Sequence, residues 1–176
     1  MRIRSFTVYD IYKRNATLFK NQIAIKSENE KVTYGELFDQ SNRVAGWLKG
    51  KGVRKGDRVA ILAKNYPQFF PLMGGIAAAG AIMVPINFRL SAEEIGYNLT
   101  NTEPVMIVVD PDFEKTISDL RSICPSLREF VTFGPPSGIY ISKSSHFFRR
   151  HASLPGIRTC LRCEIEEECS DRSLHG

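Results

Sequence analysis

The sequence predicts an α/β fold, namely part of a doubly wound, mainly parallel sheet with flanking helices. Short apolar segments rich in β-branched residues recur along the chain, and uninterrupted segments of this kind are typical of strands covered on both faces: DRVAILA, AIMVPI, VMIVVD and EFVTF. Segments with apolar residues at helical spacing lie between them. Strands that alternate with helices indicate crossover connections, which join neighbouring parallel strands.

The first elements along the chain are a helix, a hairpin and a second helix. A helix is expected over residues 7–18, and QIAIKS and KVT, separated by ENE, predict two short strands joined by a turn. Thr33-Tyr34-Gly35-Glu36 fits a capping box, in which the Thr33 hydroxyl accepts an amide hydrogen bond and Glu36 reaches back to the cap. Apolar or small residues then recur on one face of a helix that GKG ends: Leu37, Ser41, Val44, Ala45 and Leu48.

Residues 65–88, NYPQFFPLMGGIAAAGAIMVPINF, carry no charged side chain. The run is long enough to cross a bilayer, but its prolines, glycines and amide side chains weaken that interpretation. A buried helix from Pro67 to about Ala79, which Asn65 caps and Gly80 ends, followed by a central strand, explains the run better. Gly74 and Gly75 are expected to let this helix lie close to the sheet. We therefore expect a buried core segment and no membrane span.

Two further helices are expected before the sequence changes character. SAEE, residues 91–94, predicts another capping box, and a helix over residues 112–122 follows the third strand. Their inward side chains are expected to be Ile95 and Leu99 in the first helix, and Phe113, Ile117 and Leu120 in the second.

The character of the sequence changes after Gly134. All three histidines lie beyond it, arginine largely replaces lysine, and neither the helical nor the strand period persists. We therefore expect residues 1–134 to form the folded part, and residues 135–176 to be a tail that is disordered or translated out of frame.

The charge of the chain gives little support for a nucleic-acid partner. The formal net charge is +5, but basic and acidic residues are mixed through most of the chain, as on a solvated surface. Charged residues also interrupt the N-terminal segment MRIRSFTVYDIYKRNATLFK before the apolar stretch of a signal peptide can form. We expect no nucleic-acid binding and a cytoplasmic location.

Motifs for phosphate binding and for catalysis are incomplete. Gly75-x-x-x-x-Gly80 begins like a phosphate-binding loop but continues with Ala81-Ile82, where the motif requires Lys and Ser or Thr. GKGVRKG leaves a helix instead of entering one, so it is interpreted as a helix C-terminus. No histidine lies before Gly134 to activate a nucleophile. The sequence thus predicts no catalytic and no cofactor-binding residue.

Four potential zinc ligands lie near the C-terminus: Cys160, Cys163, Cys169 and His175. Their spacing is plausible for a zinc site. The acidic segment EIEEE lies between the ligands, and no turn glycine follows the Cys-x-x-Cys pair. We expect no bound metal, and a tail with incidental cysteines is the preferred interpretation.

Two segments together resemble the adenylate-forming superfamily. VTYGEL resembles its first core motif, and GGIAAAGAIMVPIN resembles its second, a helix that ends in Ala-Gly before a Val-Pro-Ile/Leu-Asn strand. GVRKGDRVAIL and RLSAEEIGYNL also look like this family and stand in the right order. The chain is similar to the N-terminal part of an AMP-forming acyl-CoA synthetase, a family related to luciferases and peptide-synthetase adenylation domains. The residues that match its motifs are Thr33, Tyr34, Glu36, Leu37, Gly80, Val84, Pro85 and Asn87, with expected roles in capping, turning and packing.

The resemblance implies a ligase that acts in two steps and the fold of the large N-terminal domain. A carboxylate attacks the α-phosphate of Mg·ATP to give an acyl-adenylate and pyrophosphate, and a thiol, usually that of coenzyme A, then takes the acyl group. INFRLSAEEI is more similar to fatty- or aryl-acid ligases than to peptide synthetases. ATP, Mg and coenzyme A are thus implied for the full-length family.

The chain departs from the family by lacking its catalytic segments. The Thr/Ser/Gly-rich phosphate loop, the later aromatic-Thr-Glu segment, the ribose-binding Asp and the Lys of the C-terminal domain have no counterpart here. We therefore expect a truncated product, frameshifted near residues 134–145, that binds none of these cofactors and is inactive alone. The alternatives are a small module that binds a partner, such as a full-length paralogue, and an adaptor that holds zinc through the tail cysteines.

Overall fold

The computed structural model describes residues 7–27, 30–134 and 138–140. They divide into two compact units. Unit 1 contains the described residues up to Gly56 together with Asn65–Met83, and unit 2 contains Asp57–Lys64 and the described residues from Val84 onward.

Unit 1 consists of three helices and a two-stranded antiparallel hairpin. Helix α2 packs against both other helices. The elements are α1 (Val8–Leu18), β1 (Ile23–Lys26), β2 (Lys31–Thr33), α2 (Tyr34–Gly50) and α3 (Phe69–Ala79).

Local signals in the sequence fix most helix ends of unit 1. Thr7 caps α1 and Thr33 caps α2, each in a complete capping box. Gly80 ends α3 with φ of 73°, a left-handed conformation that glycine adopts at little steric cost. The predicted starts of α1 and α2 and the predicted end of α3 are therefore confirmed.

The predicted start of α3 is wrong. The helix begins at Phe69, and Gln68, not Asn65, is its N-cap residue, without a capping bond from its side chain. Pro71 is the third helical residue, where its missing N–H removes no intrahelical hydrogen bond. The proline explains why the helix begins late.

Glycines bring α3 against a neighbouring helix. A Cβ atom built on Gly75 would lie 2.6 Å from Val44 Cβ of α2, and one built on Gly74 would lie 2.6 Å from Tyr12 Cε1 of α1. Ser41 is fully buried on α2, and its hydroxyl donates to the Leu37 carbonyl at 2.7 Å. The small residues therefore permit close helix–helix packing, and the expectation that they serve an approach to the sheet was wrong.

Unit 2 is built on a sheet with the strand order β4-β3-β5-β6-β7. The pairs β3–β5 and β5–β6 are parallel, and β7 pairs with β6 in the antiparallel direction. The strands are β3 (Arg58–Leu62), β4 (Ile82–Pro85, of which Ile82 and Met83 are counted with unit 1), β5 (Met106–Val109), β6 (Glu129–Gly134) and β7 (Gly138–Tyr140). The helices are α4 (Ala92–Thr102) and α5 (Glu114–Leu120), the latter flanked by 3-10 turns at Pro111–Phe113 and Arg121–Ile123. The mainly parallel α/β fold predicted from the sequence is confirmed.

One face of this sheet forms the core of unit 2. Alternate strand residues and the inner faces of α4 and α5 contribute to it, as the apolar periods of the sequence predict. Its buried members are Ala60, Leu62, Ile86, Ile95, Leu99, Ile107, Val109, Ile117, Cys124, Leu127 and Phe130. Phe113 and Leu120 pack against this core while only partly buried.

Strand β4 differs from its prediction as a buried, central strand. It lies at one edge of the described sheet, and Ile82 is 49% exposed. Met83 and Val84 are only half-buried. An apolar composition does not distinguish an edge strand from a central one, because that difference depends on which other strands pair with it in the fold.

Strand β7 lies beyond the boundary at Gly134 and was not predicted. It pairs Tyr140 with Thr132 and Gly138 with Gly134. The prediction for the rest of the tail concerns residues outside the described part of the chain.

Candidate functional site

The first group of motif residues forms the N-terminus of α2. The Thr33 N–H and hydroxyl donate to Glu36 Oε2 at 2.8 and 2.9 Å, and the Glu36 N–H donates to Thr33 Oγ1 at 3.3 Å. The backbone hydrogen bond from Thr33, followed by that from its hydroxyl, lowers the pKa of Glu36 below its usual value of 4.5. Both side chains therefore satisfy helix-end groups.

The other two motif residues of α2, Tyr34 and Leu37, line an apolar groove of unit 1 with a volume of about 220 Å³. We call it the α1 groove. Its remaining lining residues are Ile11, Tyr12, Asn15, Ala24, Ile25, Phe70 and Met73. The Tyr12 hydroxyl donates to the Phe70 carbonyl at 3.0 Å, and burial raises the pKa of Tyr12 to about 12, so it stays neutral near pH 7. None of the lining residues is charged, so the groove suits an apolar group and not a phosphate.

The second group of motif residues shapes the chain around β4. The Gly80 N–H donates to the Ala77 carbonyl at 3.0 Å at the end of α3. Val84 and Pro85 belong to β4 itself. Asn87 Oδ1 accepts from the Arg89 N–H at 3.0 Å and so turns the chain towards α4. These contacts shape the local backbone on both sides of β4.

A polar cluster that the sequence patterns did not reveal lies at the carboxyl ends of three neighbouring strands of unit 2. We call it the carboxyl-edge cluster and define it as Lys64, Asp110, Asp112, Glu114 and Thr132. Lys64, which follows β3, pairs with Asp112, which follows β5. The Thr132 hydroxyl of β6 donates to Glu114 Oε1 at 2.6 Å. The carboxyl edge of a parallel sheet is the usual place for a ligand site.

Asp110 is the buried member of this cluster. It is only 2% exposed, and its Oδ1 accepts from the Asp112 N–H at 3.1 Å. Its Oδ2 is also buried and has no hydrogen-bond partner among the described residues. The signal that could have revealed the cluster is a polar residue directly after each buried strand, as in AILAK and VMIVVD.

No group of three or more His, Cys, Asp or Glu residues suited to a metal ion occurs within residues 7–27, 30–134 and 138–140. The zinc candidates Cys160, Cys163, Cys169 and His175 lie outside those residues. Within the same ranges no helix has the length and apolar character needed to span a membrane.

Comparison with known proteins identifies the family. The sequence profile described as AMP-binding enzyme matches residues 12–142, most of the chain. The chain belongs to the AMP-binding enzyme family. The resemblance inferred from VTYGEL and GGIAAAGAIMVPIN is thereby confirmed.

Relatives in the AMP-binding family include acid–CoA ligases. The chain is 30% identical over 157 residues to 2-succinylbenzoate–CoA ligase of Bacillus cereus (strain AH820), an alignment that covers 77% of this chain and 33% of that protein. A structure from Rhodopseudomonas palustris, assigned as a long-chain-fatty-acid CoA ligase, matches with a TM-score of 0.70 and 31% identity over 78% of this chain and 34% of that one.

A third match is the anthranilate CoA ligase AuaEII, solved in complex with anthranoyl-AMP. It matches with a TM-score of 0.69 and 29% identity, over 72% of this chain and 25% of that one. The chain thus spans about a third of the length of the first relative and of the first structure, and about a quarter of this ligase.

Neither the positive-φ glycines nor the carboxyl-edge cluster of the described residues fits the phosphates of the nucleotide that the AMP-binding family uses. The three glycines with positive φ (Gly52, Gly56 and Gly80) donate their amides to backbone carbonyls, those of Lys49, Gly80 and Ala77 respectively. These amides are therefore not free to bind phosphate oxygens. Three of the four charged groups of the carboxyl-edge cluster are carboxylates, which disfavour a phosphate there.

Proposed function

We propose that this chain supplies the amino-terminal part of an AMP-dependent acid–CoA ligase. The proposal is supported chiefly by the family match over residues 12–142. The whole-protein reaction would join a carboxylate to AMP with release of pyrophosphate, and then transfer the acyl group to the thiol of coenzyme A. This chain would contribute part of the sheet and helices that carry such a site.

We propose further that the 176-residue chain does not catalyse this reaction alone. The phosphate loop of the family has no counterpart in the sequence, and the glycine amides described above are engaged within the backbone. Neutralisation of the phosphate charge by amides and cations is what such a reaction needs in its transition state. ATP, Mg and coenzyme A would therefore be bound by residues outside the described part.

A fatty or aryl acid is the proposed substrate class of the whole protein. Support comes from INFRLSAEEI and from relatives named for succinylbenzoate, long-chain fatty acid and anthranilate.

The test is carboxylate-dependent exchange between ATP and labelled pyrophosphate. The 176-residue chain is assayed with short, long and aromatic acids, beside a full-length 2-succinylbenzoate–CoA ligase as a positive control. We expect exchange at background level from the chain alone. A fragment of the control enzyme that begins after its matching third is then added, and recovery of exchange would support the proposed part in a ligase. Exchange by the chain alone above background would contradict the proposed inactivity.

A partner-binding module is the second candidate, and the edge position of β4 favours it. A strand edge can receive a strand from another chain. A full-length paralogue would be the partner. In the same assay, adding the chain would then change the rate of ATP–pyrophosphate exchange by the intact enzyme, in proportion to the amount of complex formed.

A further inference from the structure

Helix α1 carries an apolar face that the rest of unit 1 leaves exposed. No residue of α1 is fully buried, although the helix packs against α2. Val8 and Ile11 are each 41% exposed, and Leu18 is 56% exposed. Together with the half-buried Asn15, these residues are called the α1 seam below. Contiguous apolar surface of this kind marks an interaction site, whereas a single exposed apolar side chain does not.

The spacing of the α1 seam is that of a coiled coil. Its members follow one another at intervals of three, four and three residues, so Val8 and Asn15 occupy one core position of a heptad. Ile11 and Leu18 occupy the other core position. A β-branched residue at the first position and leucine at the second favour parallel pairs of helices. The pattern therefore indicates that another helix covers the seam.

Asn15 determines which helix fits. Its side chain lines the α1 groove, and the described residues form no hydrogen bond with its amide. An amide carries donors and an acceptor, so an identical amide across a two-fold axis satisfies it. A single asparagine at a core position of a heptad also specifies register and the number of helices. A lipid or an apolar ligand would instead bury this amide without a partner, which costs free energy.

The residues beside the α1 seam agree with a second copy of this chain. In a parallel pair, Thr7 lies opposite Tyr12 of the second copy, and Arg14 lies opposite Phe19, so no like charges meet. Phe70 lines the same groove and is 43% exposed, which adds apolar surface next to the seam. A helix as short as α1 does not form a coiled coil alone, but α2 already holds it folded, so pairing does not have to nucleate it.

We propose that α1 pairs in parallel with α1 of a second copy of this chain, and that the two Asn15 side chains hydrogen-bond to each other. The product is a two-fold dimer in which each seam residue meets its own counterpart. The interface is small, so the dimer is weak and reversible. It does not involve ligase chemistry, so its test is separate from that of the proposed function.

The first test is sedimentation equilibrium of the full 176-residue chain under reducing conditions. We expect a monomer–dimer equilibrium with a dissociation constant on the order of micromolar or weaker. Leu18→Lys should raise this constant about tenfold or more, because it places two cations in the seam. Tyr97→Lys is the matched control, since Tyr97 is 71% exposed on α4 of unit 2, and it should leave the constant unchanged.

A second test asks whether Asn15 meets its own counterpart. Asn15→Asp and Asn15→Lys each place two like charges at the axis, so each variant alone should dimerise at least about tenfold more weakly than the wild type. An equal mixture of the two variants pairs opposite charges and should recover the association. Such recovery also shows that both variants are folded, and circular dichroism of each checks this independently. Wild-type association by either variant alone, or no recovery in the mixture of folded variants, would overturn the proposal.

Two further outcomes would also overturn it. One is a wild-type chain that remains monomeric up to about millimolar concentration. The other is a monomeric chain that binds vesicles of phosphatidylserine and phosphatidylcholine and loses this binding in Leu18→Lys, because the seam would then face a membrane surface.

Discussion

Gly75 determines how closely α3 packs against α2. A Cβ atom at this position would lie 2.6 Å from Val44 Cβ and 3.0 Å from the Ser41 carbonyl oxygen. Real Cβ atoms do not approach other atoms so closely, so one helix has to move when a methyl group is added. The backbone carbonyl of α2 has little freedom to do so.

We predict that Gly75→Ala lowers the free energy of unfolding by about 1–3 kcal/mol, the usual cost of overpacking a core. Gly46→Ala is the matched control, because Gly46 is exposed on α2 and a Cβ atom there would meet nothing within 4 Å. It should stabilise the protein by up to about 1 kcal/mol, through lower entropy of the unfolded chain. Urea unfolding of both variants measures the difference, and equal stability of the two would contradict the packing of α3 on α2.

Glu36 links the first motif to the pH dependence of folding. Its pKa is lowered in the folded state by the hydrogen bonds from Thr33, so the unfolded chain takes up the proton first as pH falls. The stabilisation is present above the usual value of 4.5 and is lost as pH drops through the lowered pKa of the folded state.

We predict that Glu36→Gln flattens the decline of the melting temperature between about pH 5 and pH 3, because Gln keeps the acceptor and does not titrate. Glu94→Gln in the capping box of α4 should act in the same way, since the pKa of Glu94 is lowered by the equivalent bonds from Ser91. Melting curves at several pH values decide this. A variant that is less stable but keeps the wild-type pH profile would show that the substituted glutamate does not cause the pH dependence of the melting temperature.

At the scale of elements, strands with similar apolar sequences differ in how far their side chains are buried. Ile107 of β5 is fully buried in the core of unit 2, whereas Ile82 of β4 is 49% exposed. Removing a buried isoleucine side chain loses its transfer free energy and leaves a cavity, but an exposed one loses little of either.

We predict that Ile107→Ala costs about 2–5 kcal/mol of stability. Ile82→Ala should cost less than about 1 kcal/mol, as for other exposed positions. Both are read from denaturant midpoints in the full chain. A cost for Ile82→Ala close to that of Ile107→Ala would mean that β4 is covered in solution.

The elements that could be predicted are those with signals close together in the sequence. Thr33 and Glu36 are three residues apart, and the capping box they predict is present, as are those at Thr7 and Ser91. The start of α3 was missed because Asn65 and Pro67 suit a loop as well as the start of a helix. Only the position of Pro71 decides between a loop and a helix start at these residues. Strand β7 was missed because its pairing with β6 arises from the fold and not from a pattern in GIY.

At the scale of the whole molecule, the family could be recognised, but the carboxyl-edge cluster could not. VTYGEL and GGIAAAGAIMVPIN are contiguous segments, and the family profile confirms the family that they indicate. The cluster joins Lys64 to Asp112, 48 residues apart. Such a contact requires the parallel order of β3, β5 and β6, which no local period specifies.

The position of β4 also has a consequence for aggregation. An open strand edge is a template on which another chain can add a strand, and natural sheets limit this with short edge strands and with proline. β4 has both features, because it is four residues long and ends at Pro85, which has no N–H to donate. Pro85, one of the family motif residues, thus also shortens the row of amides on which intermolecular sheets could grow.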